Sequence, residues 1–195
     1  YETEDGVRYQ LRWENNNDRG ESISAEIDQT GHIYRYNYYA NNERTGLSPL
    51  RLTTAQGEAD GYLKKMLPQL AQNFILVEQN GNNDAFIFTY QQMRDNVPIQ
   101  NAHAVISVDK FTKQITQYYL TDTVDWQQES FPDKNNAISL TKALEAWEKQ
   151  LGVELVYRSY YDYQNKNTTI FPAYQVKNTD EVIDALTGQS ISLME

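Results

Sequence analysis

The chain has 195 residues, of which 39% are hydrophobic and 23% charged, so it suits one large globular domain or two small ones. Its net charge of −10 disfavours nucleic acid and anionic membranes as partners, and the lack of cysteine excludes disulfides and thiolate chemistry. No apolar run approaches the roughly 20 residues of a membrane span. The 15 tyrosines favour β-structure and surface recognition.

The first 40 residues predict a three-stranded antiparallel meander. Apolar and polar residues alternate over 7–13, as in a half-buried strand, and a second strand ends at Asp28. The third strand, over 33–39, is expected to place three tyrosines on a single face: Tyr34, Tyr36 and Tyr38. The sequence begins inside what looks like a module. We therefore expect it to be part of a longer protein, with the targeting segment elsewhere.

Two stretches predict amphipathic helices, over 53–71 and 141–151, because apolar residues recur on one helical face. Thr53 and Gln56 are expected to form a capping box, and Pro68 to kink or shorten the last turn of the first helix. Each helix precedes a set of predicted strands. These strands are 73–79, 84–91, 102–109 and 114–121 after the first helix, and 153–160, 170–177, 181–186 and 189–194 after the second.

Three hairpin corners are written alike: a strand ends at Asp, a Thr follows within three residues, and a new strand begins at Ile. The corner residues are Asp28, Thr30 and Gly31, then Asp109 and Thr112, then Asp184, Thr187 and Gly188. Asp and Thr side chains hydrogen-bond local backbone in such turns, and glycine supplies a positive φ. Lys113 stands where the other corners have glycine, so its turn should be looser or strained.

A helix followed by antiparallel strands thus occurs twice in full and once in part. One helix packed on a curled antiparallel sheet buries both apolar faces, so the predicted class is α+β. We expect tandem units, each with one helix on a sheet of three or four strands. The predicted units are a truncated one at 1–46, a second at 47–125 and a third at 126–195.

The Leu-Thr-x-Ala helix opening, the aromatic-rich hairpin and the corner resemble the PepSY-type module. In the third unit the carrying residues are 143–152, 171–176 and 183–188; residues 53–120 and 7–39 match as further copies. The tandem arrangement resembles YcdB/YcdC-type repeat proteins, which are exported by Gram-positive bacteria. The resemblance implies an extracellular or cell-envelope location and brings no catalytic residues with it. PepSY modules also occur in the propeptides of secreted metalloproteases, linked to their inhibition and folding.

Residues suited to catalysis or metal binding are sparse. His32 and His103 lie 71 positions apart, and neither a nucleophile elbow nor a zinc motif is present. The 27 acidic residues could supply a glycosidase pair, yet most stand in turns and at helix starts. Each corner offers a cation one Asp and one Thr, and the acidic stretch 122–129 is a better candidate. We expect no enzyme activity and no cofactor or metal.

Aromatic packing under a helix accounts for most tyrosines, and the sharper hypothesis is an exposed binding face. The candidate binding residues are Tyr34, Tyr36, Tyr38, Tyr160, Tyr161 and Tyr163. We expect a non-catalytic extracellular or cell-envelope interaction module that binds a wall polymer or a protein partner. An alternative is a regulator or inhibitor of a secreted protease that acts through a sheet edge. A glycan-acting enzyme ranks third and would require two close carboxylates in a deep cleft.

Overall fold

The structure is a computed structural model that describes residues 2–3, 6–15, 20–40, 48–121, 131–150, 152–164, 166–176 and 181–192. The chain divides into two compact units, Tyr1–Glu129 and Ser130–Glu195. The predicted α+β class is confirmed by a large antiparallel sheet and two α-helices. The predicted boundaries at 46/47 and 125/126 fall on residues outside the described ranges, and the three-unit division stays a prediction.

The described residues of the first unit form one eight-stranded antiparallel sheet and one α-helix, α1 (Leu52–Met66). The strands are β1 (Glu2–Thr3), β2 (Gly6–Asn15), β3 (Glu21–Asp28), β4 (Ile33–Tyr39), β5 (Phe74–Gly81), β6 (Ala85–Arg94), β7 (Val97–Asp109) and β8 (Ile115–Leu120). Their order across the sheet is β1-β2-β3-β4-β8-β7-β6-β5. The pairing of β4 with β8 therefore joins the first meander to the strands that follow α1.

Helix α1 starts and ends at residues that differ from the prediction. The capping box is wrong: the helix begins at Leu52, its N-cap is Arg51, and no side chain caps it. Thr53 already lies inside the first turn, so it cannot act as the cap. The helix ends at Met66 and not at 71, because Pro68 disfavours helical geometry in the residue before it.

The core lies between α1 and strands β6, β7 and β8. Ala55, Ala59 and Leu63 form the buried stripe of the helix, and the two alanines let its backbone approach the sheet closely. The core residues that these three strands contribute are Phe88, Tyr90, Ala104, Ile106, Val108, Tyr118 and Leu120. The hydroxyl of Tyr90 also donates to Asp60 at 2.6 Å, which fixes the helix on the strands.

The two halves of the sheet are paired in the same way. In the half made of β2, β3 and β4, Leu11 lies opposite Ala25, which lies opposite Tyr36. In the half made of β6, β7 and β8, Phe88 lies opposite Ile106, which lies opposite Tyr118. Both halves carry a register shift at matching places, between Glu26 and Ile27 and between Ser107 and Val108.

Tyr36 pairs directly with Tyr118 across the junction of the halves. The two triplets therefore form one continuous row of apolar residues over six strands, in which each position of one half has an equivalent in the other. This row defines a pseudo-twofold axis that is normal to the sheet and passes between the two tyrosines.

The second unit contains α2 (Leu140–Gln150) and two hairpins. One hairpin pairs β9 (Val153–Asp162) with β10 (Asn167–Val176), and the other pairs β11 (Glu181–Ile183) with β12 (Ser190–Ser192). Helix α2 packs on the second hairpin. Ser139 supplies a weak cap, since its Oγ accepts from the Lys142 N–H at 3.4 Å.

The corners at Asp109 and Asp184 share one hydrogen-bond pattern. In each, Asp Oδ1 accepts from the N–H two residues on, at 2.8 Å and 2.9 Å. The Asp carbonyl accepts from the N–H four residues on, and the Asp N–H donates to the carbonyl five residues on. The corner at Asp28 is one residue shorter, and its Oδ1 accepts from Thr30 N at 2.8 Å.

The corners at Asp109 and Asp184 each accept a hydrogen bond from the segment that leads into a helix. The N–H of Leu50, two residues before α1, donates to the carbonyl of Lys110 at 2.6 Å. The N–H of Ile138, two residues before α2, donates to the carbonyl of Ala185 at 2.7 Å. In both cases the acceptor directly follows the corner Asp.

Replacing Lys113 by glycine should stabilise the first unit. Lys113 has φ +66°, in the left-handed region where Gly31 and Gly188 also lie, at +86° and +73°. Relief of that strain, about 1–2 kcal/mol, outweighs the extra chain entropy that glycine loses, about 0.5–1 kcal/mol. We expect a net gain of about 0.5–1 kcal/mol in urea unfolding. The reverse change, Gly188→Lys, should destabilise the second unit, and a stabilised Gly188→Lys would contradict this explanation.

Candidate functional site

Tyr34, Tyr36 and Tyr38 do not share a face, so that expectation is wrong. The register shift in the β3–β4 pair inserts an extra residue and turns Tyr34 to the side of the sheet opposite α1. There the Arg8 guanidinium carbon lies 3.9 Å from the centre of its ring. Tyr36 stays on the helix side, with its ring centre 6.5 Å from that of Tyr62 in α1.

The tyrosines predicted for the second unit gather at the end of the β9–β10 hairpin. Tyr161 and Tyr163 pack edge to face with ring centres 4.9 Å apart, and Tyr163 is 83% exposed. The side chain of Tyr160 lies outside the described part of the structure. Their role in binding stays a prediction.

A polar groove of about 550 Å³ lies on the side of the sheet opposite α1 in the first unit. It crosses five neighbouring strands, in the order β2, β3, β4, β8 and β7. Its lining residues are Arg8, Gln10, Glu26, Tyr34, Arg35, Asn101, His103, Tyr119, Leu120 and Thr121. The groove thus spans the junction of the two halves.

A network around Tyr34 forms one wall of the groove. Arg8 donates to Glu26 Oε1 at 3.1 Å, and both side chains are largely buried. The rings of His32 and Tyr34 stack with their centres 4.9 Å apart. The Tyr34 hydroxyl donates to Asp28 Oδ2 at 3.3 Å. These contacts fix the ring of Tyr34 and make it part of the wall rather than a free stacking surface.

The corner beside this wall shifts the pKa of two groups. Burial acts to raise the pKa of Asp28, but hydrogen bonds from Thr30 and His32 outweigh it, and the pKa of Asp28 is lowered. Burial lowers the pKa of His32, with the charge of Arg8 adding to this and Asp28 opposing it. The His32 Nε2 atom is buried and has no hydrogen-bond partner among the described residues. The folded chain therefore favours neutral His32.

Folding stability should consequently fall as the pH drops below 6.5, the ordinary pKa of histidine. The unfolded chain then binds a proton at His32 that the folded chain resists until a lower pH. Below pH 3.8, the ordinary pKa of aspartate, folding stability should fall further. The unfolded chain then binds a proton at Asp28, whereas the pKa of Asp28 is lowered in the folded chain. The free energy of unfolding, measured in urea between pH 5 and 8, should rise with pH in the wild type. His32→Gln should remove this rise, and His103→Gln should retain it. An equal slope in both variants would contradict the assignment.

Arg35 and Tyr119 form the centre of the groove, directly opposite each other in the β4–β8 pair. The Arg35 guanidinium carbon lies 5.0 Å from the centre of the Tyr119 ring, a cation–π contact. Within the described residues, no carboxylate lies in salt-bridge range of Arg35. Tyr119 is 41% exposed. This pair offers a ligand both a charge and an aromatic surface.

A backbone irregularity in β7 brings Asn101 and His103 to the groove. Asn101 has φ +66°, and the Gln91 amide bridges the displaced strand by donating to the carbonyls of Ile99 and Ala102. Thr121 closes the far side, since its Oγ1 accepts from the His103 N–H at 2.5 Å. Bulges of this kind redirect side chains beside binding sites.

A second pocket of about 420 Å³ adjoins the first and shares Gln10, Glu26 and Arg35 with it. It runs on along β2, β3 and β4 to Ser24 and Asn37. The result is an elongated polar trough with amide, hydroxyl and guanidinium groups. Such a shape suits an extended ligand better than a compact one.

Within the described ranges, the trough lacks the pair of carboxyl groups that glycoside hydrolysis requires. Among the described residues, its two pockets contain a single carboxylate, Glu26, which pairs with Arg8. A glycosidase needs two carboxyl groups about 5–10 Å apart. Nor does the described part of the chain contain a group of three or more His, Asp or Glu that could hold a metal ion. The acidic stretch 122–129 lies outside the described ranges.

Of the groove residues, only Tyr34 belongs to the set predicted to bind. The alternation over 7–13 places Arg8 and Gln10 on the polar face of the first strand, and the sequence offers His103 only as a catalytic base. The missing information is the non-local β4–β8 pairing, which no local pattern reveals. The recurrence of Tyr36 as Tyr118, one residue beyond the spacing of the corners, is the signal that could have indicated it.

Comparison with known proteins gives one family and one solved structure. The sequence model of the family described as "YcdB, YcdC repeated domain" matches residues 1–122. A search of curated proteins found no match. The chain is similar to the Bacillus megaterium YpeB C-terminal domain at 11% identity, over 97% of this chain and 90% of that one, with a TM-score of 0.41. Within the described chain, neither α-helix is long and apolar enough to cross a membrane.

Proposed function

The chain belongs to the YcdB/YcdC repeated-domain family, and on this basis we propose that it is a non-catalytic interaction module of the bacterial exterior or cell envelope. We place it in an exported protein of a Gram-positive bacterium, as the resemblance implies. Its ligand is a wall polymer, bound in the polar trough of the first unit. The net charge of −10 disfavours nucleic acid, which carries a phosphate on every nucleotide, as the ligand.

We also propose that the chain is built of tandem PepSY-like units. Three observations support this: the matched pairing of the two sheet halves, the matched register shifts, and the shared hydrogen-bond pattern of the corners at Asp109 and Asp184. The matched hydrogen bonds of Leu50 and Ile138 extend the similarity to the helix entries. Repeated modules of this kind offer several surfaces to a long ligand.

The observation that carries the ligand proposal is the Arg35–Tyr119 pair at the centre of an elongated polar trough. An exposed tyrosine face can stack on a sugar ring, and the side chains of Gln10, Asn101 and Thr121 can hydrogen-bond hydroxyl groups. Arg35 can bind a carboxylate or phosphate on the same polymer. Wall polymers combine these features.

Binding to isolated Gram-positive cell walls tests the proposal. Purified protein should co-sediment with walls, and Tyr119→Ala or Arg35→Ala should weaken binding by about tenfold or more, equivalent to about 1.4 kcal/mol. Tyr39→Ala is the matched control, because Tyr39 is 64% exposed on β4 and does not line the trough. Circular dichroism should verify that each variant folds. Equal retention on walls of the wild type and of the double variant that combines Arg35→Ala with Tyr119→Ala would refute binding in the trough.

A second candidate function is regulation of a secreted protease through the edge strand β5. This strand ends the sheet, and Ile75 and Val77 on it are 48% and 52% exposed. An extended peptide could add to such an edge. A register shift between Leu76 and Glu78 interrupts the edge, which favours the wall-polymer function. Inhibition of a protease that Ile75→Lys and Val77→Lys abolish would favour this candidate instead.

A glycan-acting enzyme remains third. Glu26 is the one carboxylate among the described residues that line the trough, so the second acid that acid–base hydrolysis requires is not supplied there. Release of reducing sugar from walls by the wild type, lost in Glu26→Gln, would establish the enzyme and overturn the non-catalytic proposal.

A further inference from the structure

Among the described residues of the first unit, a helix covers the α1 side of the sheet over only one of its two equivalent halves. The row that crosses the sheet shows that both halves present apolar residues to this side. Phe88, Ile106 and Tyr118 of the row are fully buried under α1. Their counterparts Leu11 and Ala25 are not among the buried core residues. The apolar residues on this side are thus buried under a helix in one half of the sheet and remain partly exposed in the other.

Neighbouring rows repeat this contrast. Tyr9 and Trp13 flank Leu11 in β2, as Phe86 and Tyr90 flank Phe88 in β6. Tyr90 is 3% exposed, whereas its counterpart Trp13 is 53% exposed and Tyr9 is 48% exposed. We name the residues of this uncovered side the open face: Tyr9, Leu11, Trp13, Ile23, Ala25, Ile27, Tyr36 and Tyr38. Contiguous apolar surface of this kind marks an interaction site.

The pseudo-twofold axis specifies what fits the open face. Rotation about the axis through the Tyr36–Tyr118 pair carries β6, β7 and β8 onto β2, β3 and β4, and carries α1 to a position above Ala25. A notch of about 450 Å³ already lies between α1 and this position, lined by Ile23, Tyr36, Tyr38 and Tyr62 among others. A second helix beside α1 would fill it.

We propose that the open face is a docking site for an amphipathic α-helix of the α1 type, which carries small residues at positions i and i+4 and leucine at i+8. This pattern is that of Ala55, Ala59 and Leu63, which let α1 lie close to the equivalent strands. Helix α2 does not have the pattern, because Trp147 stands at its i+4 position after Ala143. The proposal is independent of the polymer trough, which lies on the opposite side of the sheet.

A peptide of residues 48–70 is the probe. Gly57→Ala and Gly61→Ala in the peptide raise its helicity, and a methyl group at either position meets no atom within 4 Å beyond the helix's own backbone and the adjacent residues. Fluorescence anisotropy of the labelled peptide should show saturable binding to the intact chain. The same peptide with Ala59→Glu should bind at least tenfold more weakly, because a carboxylate would replace the small residue of the docking stripe.

Variants of the chain locate the peptide. Ala25→Glu on the open face should weaken peptide binding at least tenfold. Ser24→Glu should leave peptide binding unchanged, because Ser24 directly precedes Ala25 in β3 and lies on the other side of the sheet. Trp13→Ala is a second, milder variant in case Ala25→Glu fails to fold, and it should weaken binding several-fold. Absence of saturable binding, or equal loss in Ala25→Glu and Ser24→Glu, would overturn the proposal. Self-association of the chain that Ala25→Glu abolishes, without peptide binding, would assign the face to a second copy and overturn it as well.

Discussion

Replacing Phe88 by alanine is expected to lower the free energy of unfolding of the first unit by about 3–5 kcal/mol. Phe88 is fully buried between α1 and the sheet, so its loss removes buried apolar area and leaves a cavity that the packed helix cannot fill. Leu11 occupies the equivalent place in the other half, where it is not part of the buried core. Leu11→Ala should therefore cost about 1 kcal/mol.

Urea unfolding of the two variants, followed by circular dichroism, measures this difference. The comparison tests whether the two halves of the sheet, which share one pairing pattern, differ in burial as described. Losses of equal size in Phe88→Ala and Leu11→Ala would show that the open face is covered in solution. That result would contradict the helix-docking proposal, which requires the face to be accessible to an added helix.

Replacing Asp109 by alanine is the second large effect that we expect, a loss of about 2–3 kcal/mol. Asp109 is 4% exposed, and its Oδ1 accepts from the N–H groups of Phe111 and Thr112 at 2.8 Å and 2.9 Å. Alanine removes the shared acceptor of these two donors at a position that is itself buried, and both donors lie in a partly buried part of the turn. The same turn holds Leu50 at the entry to α1, so the damage should extend to the helix.

Asp109→Asn is the matched control, because an asparagine Oδ1 atom can accept both hydrogen bonds. It should retain most of the stability, with a loss below about 1 kcal/mol. Thermal unfolding and urea unfolding of both variants provide the measurement. If Asn and Ala destabilise equally, the negative charge of Asp109 matters more than the acceptor geometry, and the turn explanation is wrong.

Local patterns are sufficient to predict most elements of the first unit. The alternation over 7–13 lies within β2, and Ile33–Tyr39 forms a strand with the predicted bounds. Pro68 signals an early end to the first helix, since proline restricts the residue before it. The start of that helix escapes prediction because Arg51 has the extended backbone of a cap but no capping side chain.

The candidate site could not be predicted in the same way, because it depends on pairing between distant strands. Strict alternation assigns Tyr34 to the side of Tyr36, and only the register shift in the β3–β4 pair turns it over. Arg35 meets Tyr119 through the β4–β8 pair, across 84 positions of sequence set by no local motif. The position of Asn101 likewise depends on an irregularity within β7.

We propose that the trough around Arg35 and Tyr119 is the binding site of the module. Backbone amide chemical shifts of the labelled protein, recorded during titration with solubilised Gram-positive wall fragments, test it most directly. We expect saturable shifts at Arg35, His103 and Tyr119, with none at Ile75 or Val77 of the β5 edge. Shifts confined to that edge, or no shifts at saturating fragment, would contradict it.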